Sequence, residues 1–165
     1  RGQLPSASGV DVLSMAREPQ PALPLPADQL AAVLLSLLRS HDLVVVDLPR
    51  ELTPAVREAL RVADLTLLVV RADLRGVAAA RGLAEELAPA CARIAVLVRE
   101  GRSRAVEAGA AATAVGLALA GVVPYDESLV LAAERGDPPA RSSRSGLARA
   151  CRQLLRDLAP QGAAA

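Results

Sequence analysis

The sequence has no lysine, phenylalanine or tryptophan, and it has one tyrosine, one histidine and one methionine among 165 residues. All 19 basic residues are therefore arginine, and 18 acidic residues balance them to a net charge of +1. A near-neutral chain has no overall electrostatic attraction for nucleic acid or anionic lipid. The core must be built from leucine, valine and alanine, and the length is that of one domain with room for such a core.

The scarcity of cysteine and histidine excludes several kinds of site. Cys91 and Cys151 form no close-spaced pair, and their apolar, helix-like surroundings predict small buried hydrophobic residues. One histidine supports neither a His/Cys metal site nor a Ser-His-Asp triad. No run approaches the ~20 apolar residues of a transmembrane segment, and no signal peptide is recognisable. We therefore expect a cytoplasmic protein.

The most informative stretch runs from His41 to Pro49 and reads His-Asp-Leu-Val-Val-Val-Asp-Leu-Pro. A short apolar run bounded by polar residues and proline is typical of a strand buried on both faces of a parallel sheet, here at about 43–47. Because a buried carboxylate is costly, Asp47 is expected at the carboxyl end of that strand. Ligands bind at this end in open α/β sheets. The alternative is that Asp47 caps a turn or begins the next helix.

Short apolar segments alternate with helical ones along the whole chain. The pattern predicts strands at 10–15, 43–47, 65–70, 94–98 and 117–123, separated or followed by helices at 28–39, 53–62, about 73–88, 103–115, 126–135 and 145–159. Such alternation is typical of βαβ units with right-handed crossovers. We expect an α/β fold with a mostly parallel sheet and helices on both faces.

Three pieces of the chain together resemble the second half of MinD/ParA-type P-loop ATPases. That family has a D-x-x-x-x-D-x-P strand, then an A-D strand, and later a P-x-D … A … G-x-P segment. The matching pieces here are 41–49 with Ala63–Val70, then 94–98, then 121–126 with 132–138. The Asp-Leu-Pro-Arg50 and Gly-Asp-Pro-Pro139 variants look most like CpaE-like, septum-site-determining members. The similarity covers roughly residues 10–158.

The resemblance implies a P-loop NTPase-like fold and particular site residues. Asp47 matches the Walker B acid, which holds Mg²⁺ directly or through water in such enzymes, because Mg²⁺ is a hard cation that takes oxygen ligands. Pro124 and Asp126 match the loop that lies against the nucleotide base. The alternative for that loop is a strand exit with a helix cap. The implied cofactors are ATP and Mg²⁺ in the full-length protein.

The chain departs from the family pattern where the phosphates should bind. It has no G-x-x-x-x-G-K-[ST] motif and no lysine, although phosphoryl transfer in this family needs both. Val98 or Arg99 stands where relatives often have an asparagine that reads adenine. We expect this chain alone to lack the P-loop strand, to bind ATP weakly and to be inactive. ATPase activity is thus implied only by the resemblance.

Residues 1–165 are expected to form a single α/β domain that is the C-terminal part of a longer MinD/ParA-like ATPase domain. The chain opens on Arg1, and its methionine, Met15, falls within a predicted strand. Either the P-loop lies upstream or it has been lost. Without the neighbouring P-loop strand, 43–47 would leave backbone groups unpaired. We therefore expect the chain alone to be poorly stable or to associate.

The first functional hypothesis is a MinD/ParA-like, CpaE-type regulator, nucleotide-switched in its full-length form. It would act in septum-site determination or in positioning secretion or pilus machinery, as a homodimer or with cell-division or secretion partners. The alternative is a degenerate, non-catalytic scaffold of the same fold that acts through protein–protein contacts. An unrelated receiver-like domain is disfavoured because such domains need a lysine at a strand end.

Two surface features qualify this hypothesis. Arg99, Arg102 and Arg104 form a local basic cluster that suggests weak, non-specific DNA contact, although neighbouring acids favour a solvated surface. The last helix has Leu147, Leu154 and other apolar residues on one face, which predicts docking on the sheet. We expect no MinD-type membrane tail after it. We expect a cytoplasmic location. The resemblance to the family additionally implies peripheral association with the inner face of the membrane.

Overall fold

The computed structural model describes residues 4–7, 9–14, 25–103, 105–139 and 142–158. The chain divides into two units, Arg1–Val62 and Ala63–Ala165. Each is described by itself below. That 1–165 forms one domain stays a prediction.

The second unit is built on a three-stranded parallel sheet in the order β3-β4-β5. Its elements are β3 (Thr66–Arg71), α3 (Leu74–Leu87), a 3₁₀ turn (Ala88–Ala90), β4 (Ile94–Arg99), α4 (Ala108–Val115), β5 (Leu119–Val123), α5 (Glu127–Arg135) and α6 (Gly146–Leu158). These elements confirm the expected α/β class with a parallel sheet and helices. The three strands begin and end within two residues of the predicted bounds.

The core of this unit is aliphatic, as the composition requires. Val96 and Val98 of β4 and Ala111 of α4 are fully buried, and Val70 of β3 is 2% exposed. Burying one valine side chain contributes roughly 1.5–3 kcal/mol. Alanines from α3 and α4 line the same cluster, and their small side chains allow the helices to approach the strands closely. The central strand β4 therefore anchors the unit.

The α4 helix is shorter than predicted, because its start is set by a carboxylate cap. Glu107 accepts a hydrogen bond from the Ala110 backbone N–H at 2.8 Å, so the helix begins at 108 rather than near 103. Gly116 ends it with a φ of 82°, a left-handed conformation that glycine adopts without strain.

The first unit contains two short strands and two helices. β1 (Ser6–Ala7) pairs antiparallel with β2 (Val10–Asp11), and α1 (Ala27–Leu38) and α2 (Pro54–Val62) follow. The predicted strand at 10–15 is thus restricted to two residues within the described part, and residue 15 lies outside it. The Asp11 carboxylate lies 3.1 Å from His41 Nε2, which ties the hairpin to the end of α1. The predicted cap of α2 is confirmed, since Thr53 Oγ1 accepts from the Val56 N–H at 3.3 Å.

The prediction of a buried strand at 43–47 is wrong. Residues 43–49 have no regular secondary structure, and Val45 is 84% exposed while Leu43 is 50% exposed. A strand is stabilised by backbone hydrogen bonds to a neighbour, and none of the described strands pairs with this segment. An apolar run alone therefore did not determine the conformation.

The last helix, α6, packs against β5 as predicted. The Leu154 side chain lies 3.6 Å from the position that a Cβ on Gly121 would occupy, so the missing side chain allows the close approach. The prediction for the cysteines fails in part: Cys91 is half-buried, and Cys151 on α6 is exposed. Within the described residues, no helix has the length and apolar character that a bilayer crossing requires.

Two glycines of α3 provide a test of this packing. A Cβ at Gly76 would lie 2.6 Å from the Arg71 carbonyl oxygen, whereas a Cβ at Gly82 would have no atom within 4 Å. We expect Gly76→Ala to lower the free energy of unfolding by roughly 1–3 kcal/mol, because backbone must shift. The matched Gly82→Ala should raise it by about 0.5–1 kcal/mol through helix propensity. Urea denaturation measures both, and equal effects would contradict the close packing of α3 on β3.

Candidate functional site

The carboxyl ends of the three parallel strands meet at one edge of the sheet and form a cleft. Its volume is about 490 Å³. The first residues beyond each strand contribute to its walls, as is usual for ligand sites in open α/β sheets. The lining residues are Arg71, Ala72, Asp73, Arg99, Glu100, Gly101, Arg102, Ser103 and Tyr125.

The exit of β3 is fixed by the carboxylate of Asp73. One oxygen, Oδ1, accepts a hydrogen bond from the Gly76 N–H at 2.7 Å and caps α3. The other, Oδ2, pairs with the Arg71 guanidinium at 2.8 Å. Both oxygens of Asp73 therefore have a structural partner, and the turn into α3 holds one wall of the cleft in place.

The exits of β4 and β5 are joined by one cross-loop contact. The Arg102 guanidinium lies 5.8 Å from the centre of the Tyr125 ring and donates to Tyr125 Oη at 3.4 Å and to the Glu127 carboxylate. The hydrogen bond to Tyr125 is the main cause that raises the pKa of Arg102. These contacts connect the loop after β4 to the start of α5, and the sequence analysis did not find them.

Arg99 is the cleft arginine that forms no ion pair with any of the described acidic residues. Its side chain is exposed at the end of β4, and the ion pairs found among the described residues do not include it. Glu100 beside it is half-buried, and its backbone N–H donates to the Val123 carbonyl at 2.9 Å. The end of β4 thus presents a guanidinium next to a carboxylate on a firmly bonded backbone.

Pro124 and Asp126, which the resemblance assigned to the nucleotide base, lie at the exit of β5. Asp126 Oδ1 accepts from Ser128 Oγ at 2.6 Å and from the Ser128 N–H at 3.0 Å. A Cβ on Gly146 would lie 2.5 Å from Pro124 Cγ, so α6 begins directly against this proline. These contacts match the alternative in which the loop is a strand exit with a helix cap. Pro124 and Asp126 remain predicted base contacts.

Asp47 was predicted to bind Mg²⁺ because it was expected at the carboxyl end of a strand, and the structure has no strand there. It is exposed and lies in the irregular stretch 43–49 of the first unit, not at the end of a strand. Whether it binds a metal ion stays a prediction. Among the described residues, no group of three His, Cys, Asp or Glu side chains is arranged to hold a metal ion.

The residues of this chain do not fit the phosphate half of a Mg²⁺–nucleotide. A phosphate cradle of the P-loop type needs a glycine-rich run of backbone N–H groups followed by lysine, and the sequence has neither. The cleft at the strand ends provides arginines, carboxylates and one aromatic ring instead. Of the basic cluster considered for DNA, Arg102 is paired with Glu127 and Arg104 lies outside the described residues.

We compared the chain with known protein families, sequences and structures. No family model matches the chain. It is 34% identical over 155 residues to the uncharacterized protein Rv3660c of Mycobacterium tuberculosis strain H37Rv, and equally to the uncharacterized protein MT3760 of strain CDC 1551. The alignment covers 94% of this chain but 43% of each relative. The chain therefore spans less than half the length of these relatives.

Solved structures of MinD cell-division proteins have the same fold. The Pyrococcus furiosus MinD ATPase matches with a TM-score of 0.66, 20% identity and coverage of 80% of this chain and 57% of that one. The MinC:MinD complex of Aquifex aeolicus matches with a TM-score of 0.69 and 18% identity, and the match covers 81% of this chain and 58% of that one. MinD of Pyrococcus horikoshii, complexed with Mg-ADP, matches with a TM-score of 0.67 and 19% identity, and the match covers 82% of this chain and 57% of that one. The chain thus has a MinD-like fold and spans under two thirds of these proteins.

The Asp126 cap predicts a pH-dependent contribution to stability. Hydrogen bonding to Ser128 is the main cause that holds the pKa of Asp126 below its ordinary 3.8, with the Gly146 N–H and Arg149 adding to it. Because the folded pKa is lowered, the stabilisation is present above the unfolded pKa and disappears as pH falls through the folded pKa. Asp126→Asn should therefore lower the melting temperature at neutral pH, with a difference that shrinks below about pH 4.

Thermal melts of the parent and variant across this pH range measure the effect. The control is Asp42→Asn, which alters an exposed carboxylate of the first unit and should leave the melting temperature nearly unchanged. A pH-independent difference for Asp126→Asn would contradict the assigned role of the carboxylate charge.

Proposed function

We propose that this chain is the C-terminal part of a MinD-like, nucleotide-switched regulatory domain. Its role would be to position division or secretion machinery through cell-division or secretion partners, in the manner of CpaE-type proteins. The MinD-like fold over about four fifths of the chain is the single observation that carries the proposal. The resemblance implies ATP and Mg²⁺ as the ligands of the full-length form, with homodimerisation as the switched step.

The open edge of β3 supports an additional strand beside it. Thr66 donates its N–H group to the carbonyl of Arg93, directly before β4, at 2.9 Å, and Ala72 donates to the carbonyl of Arg99, the last residue of β4, at 2.9 Å. Backbone groups alternate in direction along a strand. The N–H and C=O groups of Leu67, Val69 and Arg71 therefore point away from β4.

Unpaired strand edges are usually covered or blunted in natural proteins. Among the described residues, β3 pairs with β4 alone, and Val69 in its middle is 61% exposed. A P-loop strand supplied from upstream would pair with this edge and bring a phosphate cradle to the strand ends. The curated relatives, which are more than twice as long as the aligned region, have room for such a segment.

A non-catalytic scaffold is the second candidate, favoured by the missing phosphate-binding residues. The two candidates differ in what lies upstream of Arg1. A glycine-rich loop with lysine there supports the switch, whereas a degraded loop supports the scaffold. The Aquifex aeolicus complex holds MinC together with MinD, which motivates a cell-division protein as the partner in either case.

Hydrogen exchange tests the strand that the proposal requires. In the 165-residue chain, the amides of Leu67, Val69 and Arg71 should exchange rapidly, because they point away from β4. In a longer form that includes residues upstream of Arg1, the same three amides should become protected. The amides of Leu68 and Val70 face β4 and serve as controls that are protected in both forms. Unchanged exchange at the three outer amides would argue against an added strand.

Asp47 is tested in the same longer form by nucleotide binding with and without Mg²⁺. We propose that its carboxylate contributes to Mg²⁺ coordination, so Asp47→Ala should reduce the Mg²⁺-dependent gain in affinity by about tenfold or more, the range for groups that support a bound metal ion. Asp42→Ala, which removes the other carboxylate of the 41–49 stretch, should retain the gain. Equal Mg²⁺ dependence in the parent and Asp47→Ala would remove the role.

A further inference from the structure

We propose that Ser143 is a site of phosphorylation and that the Arg149 and Arg152 guanidiniums bind the phosphate that it then carries. The serine lies in the exposed turn directly before α6, and both arginines belong to the first two turns of that helix. The proposal goes beyond the function proposed above and does not depend on a nucleotide site. It is carried by the way in which the two arginine side chains fold back over this turn.

The two arginines bind consecutive carbonyl groups of the turn. Arg152 Nη2 donates to the Ser143 carbonyl at 2.6 Å, and Arg149 Nη1 donates to the Arg144 carbonyl at 2.8 Å. A guanidinium has five N–H donors, and these contacts use one donor of each. Neither arginine forms an ion pair within the described part of the chain. Two cations with further donors therefore lie within one residue of the Ser143 side chain.

The two other serines of the turn are less suited to carry a phosphate. Ser145 Oγ accepts a backbone N–H at 3.1 Å and caps α6, so its modification would remove a helix cap. Ser142 lines a cavity of about 320 Å³ together with Asp137, and a phosphate there would be repelled by the carboxylate. Ser143 does not line this cavity, and its side chain is exposed. Ser143 is therefore the serine at which a phosphate meets arginines rather than an acid.

The modification is a phosphoryl transfer from ATP by a serine/threonine protein kinase. Ser143 Oγ forms the new bond to the γ-phosphorus, and the bond from that phosphorus to the bridging oxygen breaks. ADP leaves with that oxygen, and the hydroxyl proton passes to the catalytic base of the kinase. The product carries a charge of about −1.5 to −2 at pH 7 and three strong acceptor oxygens. Arginine binds such a group through two parallel N–H···O bonds.

The phosphate would change the charge of the surface around α6. The segment 144–156 contains four arginines and no acidic residue, and a phosphate at Ser143 offsets up to about half of that charge. Phosphorylation would therefore reduce the attraction of this surface for acidic partners. Arg149 also helps to lower the pKa of Asp126, so it is shared between two anions. Arg152 is thus the principal ligand of the phosphate.

The phosphate contacts are tested by ³¹P NMR of the chain with phosphoserine installed at position 143 during translation. We expect the second ionisation of the phosphate to occur at a lower pH than in a phosphorylated peptide of residues 139–146, by roughly half a pH unit or more, because guanidiniums favour the dianion. The peptide contains the neighbouring arginines of the turn but lacks those of α6. Arg152→Gln should remove most of the difference.

Arg156→Gln is the matched control, because Arg156 is an exposed arginine of α6 that donates to Gln153 Oε1 at 2.6 Å and not to the turn. It should retain the full difference. An ionisation equal to that of the peptide, or a difference that persists in Arg152→Gln, would overturn the assigned arginine contacts.

Mass spectrometry of the full-length protein from its native cells tests whether the site is used. We expect phosphate on Ser143 in peptides that cover residues 142–145. Phosphate confined to Ser142 or Ser145, or recovery of these peptides without any phosphate, would overturn the modification.

Discussion

Backbone hydrogen bonding along β3 is the constraint on which the rest of the second unit depends. One row of its N–H and C=O groups is bound to β4, and the other row, at Leu67, Val69 and Arg71, faces outward. The bound row fixes the register that brings the ends of the parallel strands to one edge. The outward row leaves a long, apolar edge, which natural proteins rarely expose. The backbone groups of β3 thus position the cleft on one side and leave the other side available to pair with an additional strand.

The sequence determined which segments are able to form strands, but not which of them find a partner. The runs at 66–71 and 94–99 and the run at 43–47 have similar composition, yet the first two pair with each other and the third pairs with none of the described strands. Strand formation depends on cross-strand contacts more than on intrinsic preference. Most helix bounds were predictable, because local caps such as Thr53 and Asp73 are encoded within four residues, but the start of α4 at Ala108 was not.

The general rule that ligand sites lie at the carboxyl ends of parallel strands was available from the sequence, whereas the residues that line the cleft were not. The resemblance assigned Pro124 and Asp126, at the exit of β5, to the nucleotide base, and this stays a prediction, while the hydrogen bonds of Asp126 to Ser128 serve the start of α5. The contact between Arg102 and Tyr125 joins residues 23 positions apart. Such a pair depends on the register of β4 and β5, which no local pattern encodes. The single tyrosine of the chain was the one available signal.

A nucleotide is bound through two separate sets of contacts, one to its phosphates and one to its base. Phosphates supply charge and accept hydrogen bonds from backbone N–H groups, so a cradle holds many nucleotides with little regard to the base. The base contributes selectivity through a few donors and acceptors on its edge. This chain has no lysine or glycine-rich cradle, yet Arg99, Glu100 and Tyr125 line one cleft. In the proposed longer form, a strand paired with the open edge of β3 would bring phosphate-binding groups to the same strand ends, so pairing that edge and completing the proposed site would be one event.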